Sequence, residues 1–168
     1  MAEKSNGRNG VTDDASRAAD APAPIQAKII NQYLKDLSFE NPNVRKLMAG
    51  LREQPNIEVE VNVATQRLDA DIYESAIELK AKATAKIGVI WILETVYAGA
   101  LKVEKVPEQA LEPFLMITGP SMLFPFLRRI VADVVREGGF PPLMLDPIDF
   151  AALYFHRQKE AAGAKAEA

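Results

Sequence analysis

The side chains that most often carry out catalysis are scarce in this sequence. It contains no cysteine and one histidine, His156. The absence of cysteine excludes thiol nucleophiles, disulfides and thiolate metal sites, and a single histidine leaves little material for a hydrolytic triad or a transition-metal site. Asp69 and Asp71 are close in sequence, but we interpret them as turn formers before a strand rather than as a general acid and base.

The motifs that mark common enzyme sites are missing as well. None of the five serines stands in a nucleophile elbow, and the sequence has no Walker loop and no glycine-rich dinucleotide fingerprint. We therefore predict that the protein binds a partner rather than catalysing a reaction, with no catalytic residue, cofactor or metal.

Composition and charge describe an ordinary globular chain. The 168 residues are 48% hydrophobic and 26% charged, which is enough apolar material for one folded domain. The net charge of −3 argues against nucleic-acid binding, because such proteins neutralise phosphates with basic residues. No apolar run reaches the roughly 18 residues of a membrane span, and no signal peptide is recognisable. We expect a cytoplasmic protein that does not insert directly into a membrane.

The elements that must position a binding site lie between two polar ends. Residues 1–24 mix acidic, basic and small side chains without an apolar run, which predicts a disordered N-terminal arm. Residues 156–168 are rich in Ala, Lys and Glu and predict a flexible C-terminal tail. The folded domain is therefore expected to span residues 25–155.

The first part of this domain has the period of β-strands. From residue 25 to about residue 103, apolar side chains recur at every second position, as in strands with one solvated face. Four such segments with short connections predict an antiparallel meander. The positions that define the last three strands are Ile57, Val59, Val61 and Val63, then Tyr73, Ser75, Ile77, Leu79, Ala81 and Ala83, then Trp91, Leu93 and Tyr97.

After Pro107 the apolar period becomes helical. We predict a short helix broken at Gly119-Pro120 and a longer helix from about Pro120 to Arg136, which Gly138-Gly139 ends. The apolar stripe of the longer helix is Leu123, Leu127, Ile130, Val131 and Val134.

A last helix is expected to start at Pro147, with Asp146 as its N-cap. Strands followed by helices predict an α+β fold, in which a four-stranded antiparallel sheet carries the C-terminal helices on one face.

The segment from Gly138 to Phe150, GGFPPLMLDPIDF, is unusually apolar for a loop. Its prolines and glycines exclude a long helix or an inner strand. Such a loop can cover the core of its own domain, contact a partner or line a binding groove. The sequence leaves these three interpretations open.

The strand around Trp91 is apolar on both faces, yet it contains one carboxylate, Glu94. Either a second subunit covers one face, which favours a homo-oligomer, or the strand is central in its own sheet. Glu94 needs a charged partner if it points inward. If it points outward, it can form a mixed acidic and apolar patch to which Asp36 and Glu40 add, unless these acids are simply solvated surface.

Three stretches resemble one known family. GPSMLFPFLRRIVADVVREGGFPPLMLDPIDFAALY, from Gly119 to Tyr154, closely resembles the C-terminal half of SecB, the bacterial export chaperone. KDLSFENPN from Lys35 and WILETVYAGAL from Trp91 match the same family. LFPF followed by GGFPPLMLDPIDF is a specific combination, and the resemblance covers about residues 25–155.

The resemblance implies a chaperone that is not an enzyme. SecB proteins hold unfolded precursor proteins in the cytoplasm without ATP and pass them to the translocation ATPase SecA, and they assemble as homotetramers, dimers of dimers. Matching positions imply a SecA-docking surface at Asp36, Glu40, Ile92 and Glu94. The same matching implies a groove for client polypeptides at Phe140, Leu143, Leu145, Ile148, Phe150 and Tyr154.

Two other functions stay open at this point. A small α+β enzyme or ligand-binding domain could use the apolar groove as a pocket, although no convergent polar groups stand out for it. SecB-like proteins also serve toxin–antitoxin systems, which would keep the chaperone chemistry and change the client.

Overall fold

Four long strands form one antiparallel sheet in the computed structural model, which describes residues 26–48, 50 and 53–166. The arm predicted for residues 1–24 lies outside the described residues, as do residues 167 and 168. The strands are β1 (Gln26–Glu40), β2 (Asn56–Arg67), β3 (Ile72–Ala85) and β4 (Gly88–Glu104). The predicted α+β fold with a four-stranded antiparallel sheet is confirmed.

The order of the strands is β1-β4-β3-β2, so the predicted simple meander is wrong for β1. Strands β2, β3 and β4 follow one another as hairpins, whereas β1 pairs with the far edge of β4. This order gives β4 a neighbour on both sides, which suits the one strand that is apolar on both faces. Its central position answers part of the question raised by Trp91, since that side chain is 3% exposed within a single chain.

The helices pack on one face of this sheet. They are α1 (Val44–Leu47), α2 (Glu108–Pro113), a π-helical turn (Phe114–Thr118), α3 (Gly119–Glu137) and α4 (Phe150–Ala166). On the helical side the largest buried side chains come from α3 and meet the inward side chains of β3 and β4. These residues are Leu123, Leu127, Val131 and Val135, which face Ile77, Leu79, Leu93 and Tyr97. Each such burial stabilises the fold by about 1.5–3 kcal/mol.

The predicted break at Gly119-Pro120 is wrong, because the helix continues from Glu108 to Glu137. Pro120 stands just after the π-helical turn, where the hydrogen-bond pattern of the helix changes and a residue without an N–H is accommodated. Gly119 allows the helix to approach β3 closely, since a Cβ at this position would lie 2.7 Å from Ser75 Oγ. The predicted end of α3 is confirmed at Gly139, which has φ +87°.

This continuous helix is long and apolar enough to cross a membrane, contrary to the expectation from the sequence. Its buried stripe packs on the sheet, but only 33% of the apolar stretch is buried, so the core of the domain explains a part of this composition.

The last helix starts three residues later than predicted. Helix α4 begins at Phe150, and the side chain of Asp149, not that of Asp146, caps it by accepting a hydrogen bond from the Ala152 N–H at 2.9 Å. The helix also continues through residues 156–166, which the composition assigned to a flexible tail. The predicted domain boundary at residue 155 therefore falls inside a helix.

Candidate functional site: an acidic trough and an apolar groove

The four residues of the predicted docking surface lie together on the outer face of the sheet, opposite the helices. In the β1–β4 register Glu40 pairs with Ile92, Ser38 pairs with Glu94, and Asp36 is two positions further along. Glu94 points outward, and its carboxylate is 2.5 Å from the ammonium of Lys80 on β3. The outward alternative for Glu94 is therefore the correct one.

Asp36 and Glu94 line a larger concave surface, which we call the acidic trough, whereas Glu40 and Ile92 lie beside it. It encloses about 510 Å³ across all four strands. Four carboxylates line it, from Asp36, Glu60, Glu78 and Glu94, together with the two cations Lys80 and Arg157. Sequence reasoning missed Glu60 and Glu78, although both belong to the solvated faces of predicted strands. With the correct strand order, the solvated faces of β2, β3 and β4 place Glu60 and Glu78 next to Glu94.

Lys80 is the cation at the centre of this charge arrangement. The hydrogen bond from its ammonium to Glu94 raises the pKa of Lys80, and the charges of Glu94, Glu60 and Glu40 raise it further. Lys80 therefore stays protonated, and the acidic side chains that line the trough still outnumber the basic ones by four to two. Solvent screens the exposed Lys80–Glu94 pair, so a basic partner can compete for these carboxylates.

A second polar group on the same face, which we call the Glu74 cluster, consists of Tyr33, Lys35, Gln66 and Glu74. The sequence pattern placed Glu74 on a solvated face, but its residue is only 4% exposed. Its carboxylate accepts hydrogen bonds from the Tyr33 hydroxyl, from Lys35 Nζ at 2.8 Å and from Gln66 Nε2 at 2.9 Å. Burial alone would raise the pKa of Glu74, but these donors outweigh burial and lower it. The same contact raises the pKa of Tyr33 to about 12.

An apolar groove lies on the helical side of the molecule, between the edge strand β2 and the segment that precedes α4. It has a volume of about 470 Å³. Val59 and Val61 of β2 form one wall, and residues 143–148 together with Leu153 form the other. Of the predicted groove residues, Leu143, Leu145 and Ile148 line it.

The other predicted groove residues lie elsewhere. Phe150 is 3% exposed and packs edge-on against Phe124 at 5.9 Å, so it belongs to the core. Phe140 is partly buried against the same core. Tyr154 contacts Phe155, with ring centres 5.4 Å apart, and does not line the groove.

The apolar segment thus performs two of the three tasks that the sequence left open. Leu145, at 7% exposure, covers the core of its own domain, whereas Met144, at 62%, presents its side chain to solvent beside the groove. Sequence reasoning missed Met144 as well as the β2 wall. The signal for Val59 and Val61 was present in the alternation of β2, but only the packing of the segment against that edge makes them groove residues.

The residues that could have suggested catalysis have ordinary surroundings. Asp69 accepts a hydrogen bond from the Ala70 N–H at 2.8 Å in the turn between β2 and β3. His156 is exposed on α4, 3.5 Å from Glu160. Within the described ranges, no three His, Cys, Asp or Glu side chains are grouped so that they could hold a metal ion.

Comparison with known proteins gives a consistent result. The family model "SecB: Preprotein translocase subunit SecB" matches residues 19–161. The protein-export protein SecB of Afipia carboxidovorans is 46% identical over 144 residues, which cover 86% of this chain and 89% of that protein. The corresponding protein of Parvibaculum lavamentivorans is 45% identical over 163 residues, which cover 97% of this chain and 94% of the relative.

A solved structure is similar in fold. It is that of a SecB-like chaperone of Mycobacterium tuberculosis in complex with a peptide from an antitoxin. The TM-score is 0.58 over 73% of this chain and 90% of that chain, with 18% sequence identity. At this identity the likeness concerns the fold alone.

Proposed function

This chain belongs to the SecB family of protein-export chaperones, and from that premise we propose that it works as a cytoplasmic homotetramer that delivers unfolded precursor proteins to the SecA ATPase. SecB proteins are chaperones that bind unfolded polypeptides and are not enzymes. The observation that carries the proposal is that the carboxylates of the acidic trough and the apolar side chains of the groove lie on opposite faces of one sheet, with Val61 of the edge strand bordering both. A client and SecA can therefore be bound at the same time.

The groove suits an extended apolar client because one of its walls is a strand edge. Strand β2 ends the sheet, and the carbonyl of Val63 accepts a hydrogen bond from Arg157 at 3.4 Å, from which we infer that it points away from β3. Since every second residue of a strand directs its N–H and C=O to the same side, Val61 and Val59 also present theirs outward. A client segment can pair with this edge while its side chains contact Leu143, Met144 and Ile148.

The acidic trough suits a basic partner. Asp36, Glu40 and Glu94 face solvent beside the apolar side chain of Ile92, which gives a docking surface both charge and contact area. Such a surface speeds association with a basic segment and makes it sensitive to salt. The resemblance to SecB suggests that this segment is the small basic tail of SecA.

Assembly of several subunits is supported by apolar side chains that a single chain leaves uncovered. On the edge strand β1 these are Ile30, Leu34 and Leu37, which are 40–49% exposed, and on α3 they are Met122 and Phe126. A long exposed edge strand with apolar side chains favours pairing with another copy. We propose that β1 and α3 supply the contacts of a homotetramer.

Export rather than service to a toxin–antitoxin system is the function we propose, because the export relatives are 45–46% identical over most of the chain. The likeness to the antitoxin-bound chaperone extends only to the fold. No convergent polar groups in the apolar groove favour the enzyme alternative.

Two measurements test the proposal. Stoichiometric tetramer should suppress aggregation of a slow-folding precursor without nucleotide, and unchanged aggregation would contradict the chaperone function. Glu94→Lys should weaken SecA binding and spare capture of an unfolded client. Glu104→Lys is the matched control, because Glu104 is an exposed acid paired with Lys102 at the end of β4. Equal loss of both activities in Glu94→Lys, with the assembly intact, would contradict the docking surface.

A further inference from the structure

The Glu74 cluster connects three strands across the fourth. Tyr33 and Lys35 belong to β1, Gln66 belongs to β2, and Glu74 belongs to β3. Strand β4 lies between β1 and β3, and the positions that pair with Tyr33 and Glu74 are Ala98 and Ala100. Because these two side chains are small, the side chains of Tyr33 and Lys35 can reach across β4 to one buried carboxylate.

Two members of this cluster lie at an irregularity in β1. Leu34 pairs with Tyr97 and Asp36 pairs with Val96, so Lys35 is an extra residue in β1, a β-bulge. In a regular strand, side chains at odd and even positions point to opposite faces. Tyr33 reaches Glu74 on the outer face, so without the bulge Asp36 and Glu40 would point to the helical side. The bulge is what places them in and beside the acidic trough.

We propose that Glu74 is a positioning residue for SecA docking, because its bonds to Tyr33 and Lys35 hold the bulge that turns Asp36 and Glu40 toward the outer face. The inference rests on the proposed docking of SecA at the acidic trough. It gives a role to a buried carboxylate that neither the groove nor the trough uses directly.

Glu74 does not act as one more charge of the trough. It pairs with Ala100, whereas Asp36 pairs with Val96, four residues further along β4. Four residues of a strand span about 13 Å, which exceeds the Debye length of about 8 Å at physiological salt. In addition, Lys35 Nζ compensates the charge of Glu74 at 2.8 Å.

The test compares Glu74→Gln with Glu104→Gln in the full chain. Both changes remove one negative charge from the sheet, but Glu104 is exposed at the end of β4 and has no contact with the bulge. Titration with purified SecA should give a Kd about tenfold higher for Glu74→Gln and within about twofold of the unmodified protein for Glu104→Gln, at both low and high salt. Capture of an unfolded client should be unchanged in both.

A double-mutant cycle with Asp36→Asn separates positioning from a general loss of structure. If Glu74 acts through Asp36, Glu74→Gln should cost much less affinity in the Asp36→Asn background than alone. Glu74→Gln should also make amide hydrogen exchange faster at residues 35–38. Tyr33→Phe removes one hydrogen-bond donor to Glu74 and keeps the ring, so it should lower the affinity for SecA in the same direction but by less. This variant replaces Glu74→Gln in the test if Glu74→Gln does not fold.

Three results would overturn the inference. They are equal effects of Glu74→Gln and Glu104→Gln, full additivity with Asp36→Asn, and unchanged SecA binding in both Glu74→Gln and Tyr33→Phe. The proposed function fails separately, when Asp36→Asn and Glu94→Lys themselves leave SecA binding unchanged.

Discussion

The apolar segment before α4 contains residues of two kinds, and substitution should separate them sharply. Phe150 is 3% exposed and packs on Phe124, whereas Met144 is 62% exposed beside the groove. Replacement of a buried Phe by Ala costs about 3–5 kcal/mol, a large part of the 5–15 kcal/mol that stabilises a typical domain. At about 3 °C per kcal/mol for a chain of this size, Phe150→Ala should lower the Tm by roughly 10 °C.

Met144→Ala should leave the stability of the fold almost unchanged and weaken client binding. An exposed substitution changes the free energy of unfolding by less than about 0.5 kcal/mol. A bound client that covers roughly 50 Å² of the Met144 side chain gains about 1.2 kcal/mol, so its loss should weaken client binding about eightfold. Met48→Ala is the matched control, since Met48 is 85% exposed and does not line the groove.

The assay pairs thermal unfolding, followed by circular dichroism, with fluorescence anisotropy of a labelled, reduced and alkylated protein that cannot fold. The reasoning is refuted if Met144→Ala lowers the Tm as much as Phe150→Ala does. It is also refuted if Met144→Ala and Met48→Ala bind the unfolded protein equally well.

Three further predictions follow from packing, capping and titration. Gly138→Ala should destabilise the fold by about 1–3 kcal/mol in urea titration, because its Cβ would lie 2.4 Å from the ring of Phe39. Asp149→Ala should cost about 1 kcal/mol of helix capping in the same assay, whereas Asp146→Ala should cost little. The pKa of Tyr33 is raised to about 12 in the folded state, so its contribution is fully present below about pH 10 and is lost as the pH rises through 12. Tyr33→Phe should therefore be less stable than the unmodified protein at pH 8, with a difference that shrinks between pH 10 and 12.

Each of these has a clear contrary result. An unchanged urea midpoint in Gly138→Ala would mean that Phe39 moves aside without cost. Equal losses in Asp149→Ala and Asp146→Ala would contradict the observed start of α4. A stability difference between Tyr33→Phe and the unmodified protein that is constant from pH 8 to pH 12 would show that ionisation of the Tyr33 hydroxyl does not change the free energy of unfolding.

Features that depend on neighbouring residues could be predicted from the sequence. The alternation of Val59, Val61 and Val63 predicts a strand because side chains on a strand repeat every two residues, and Leu123 and Leu127 similarly mark the buried stripe of α3. The resemblance to SecB indicated the residues of the acidic patch, but the alternation left the direction of Glu94 open, and the bulge in β1 reverses the alternation for Asp36 and Glu40.

Features that depend on distant contacts could not be predicted in this way. The pairing of β1 with β4 joins residues some sixty positions apart, such as Asp36 and Val96, and no local pattern specifies it. The bulge at Lys35 has partners far away in sequence, since Lys35 donates a hydrogen bond to Glu74 and Thr95 donates one to the carbonyl of Asp36. The start of α4 was predicted three residues too early because Asp146 before Pro147 matches the local pattern of an N-cap, whereas the burial of Phe150 in the core depends on distant contacts.

The segment from Gly138 to Phe150 is tied down at Leu145 and Phe150 and contains three prolines, at positions 141, 142 and 147. Its backbone therefore has little conformational entropy left to lose when a polypeptide is captured. Most of the ordering cost then falls on the client, whose flexibility differs from one precursor to another. Discrimination between clients can consequently arise from how readily each chain becomes extended, even when the side chains it offers are similar.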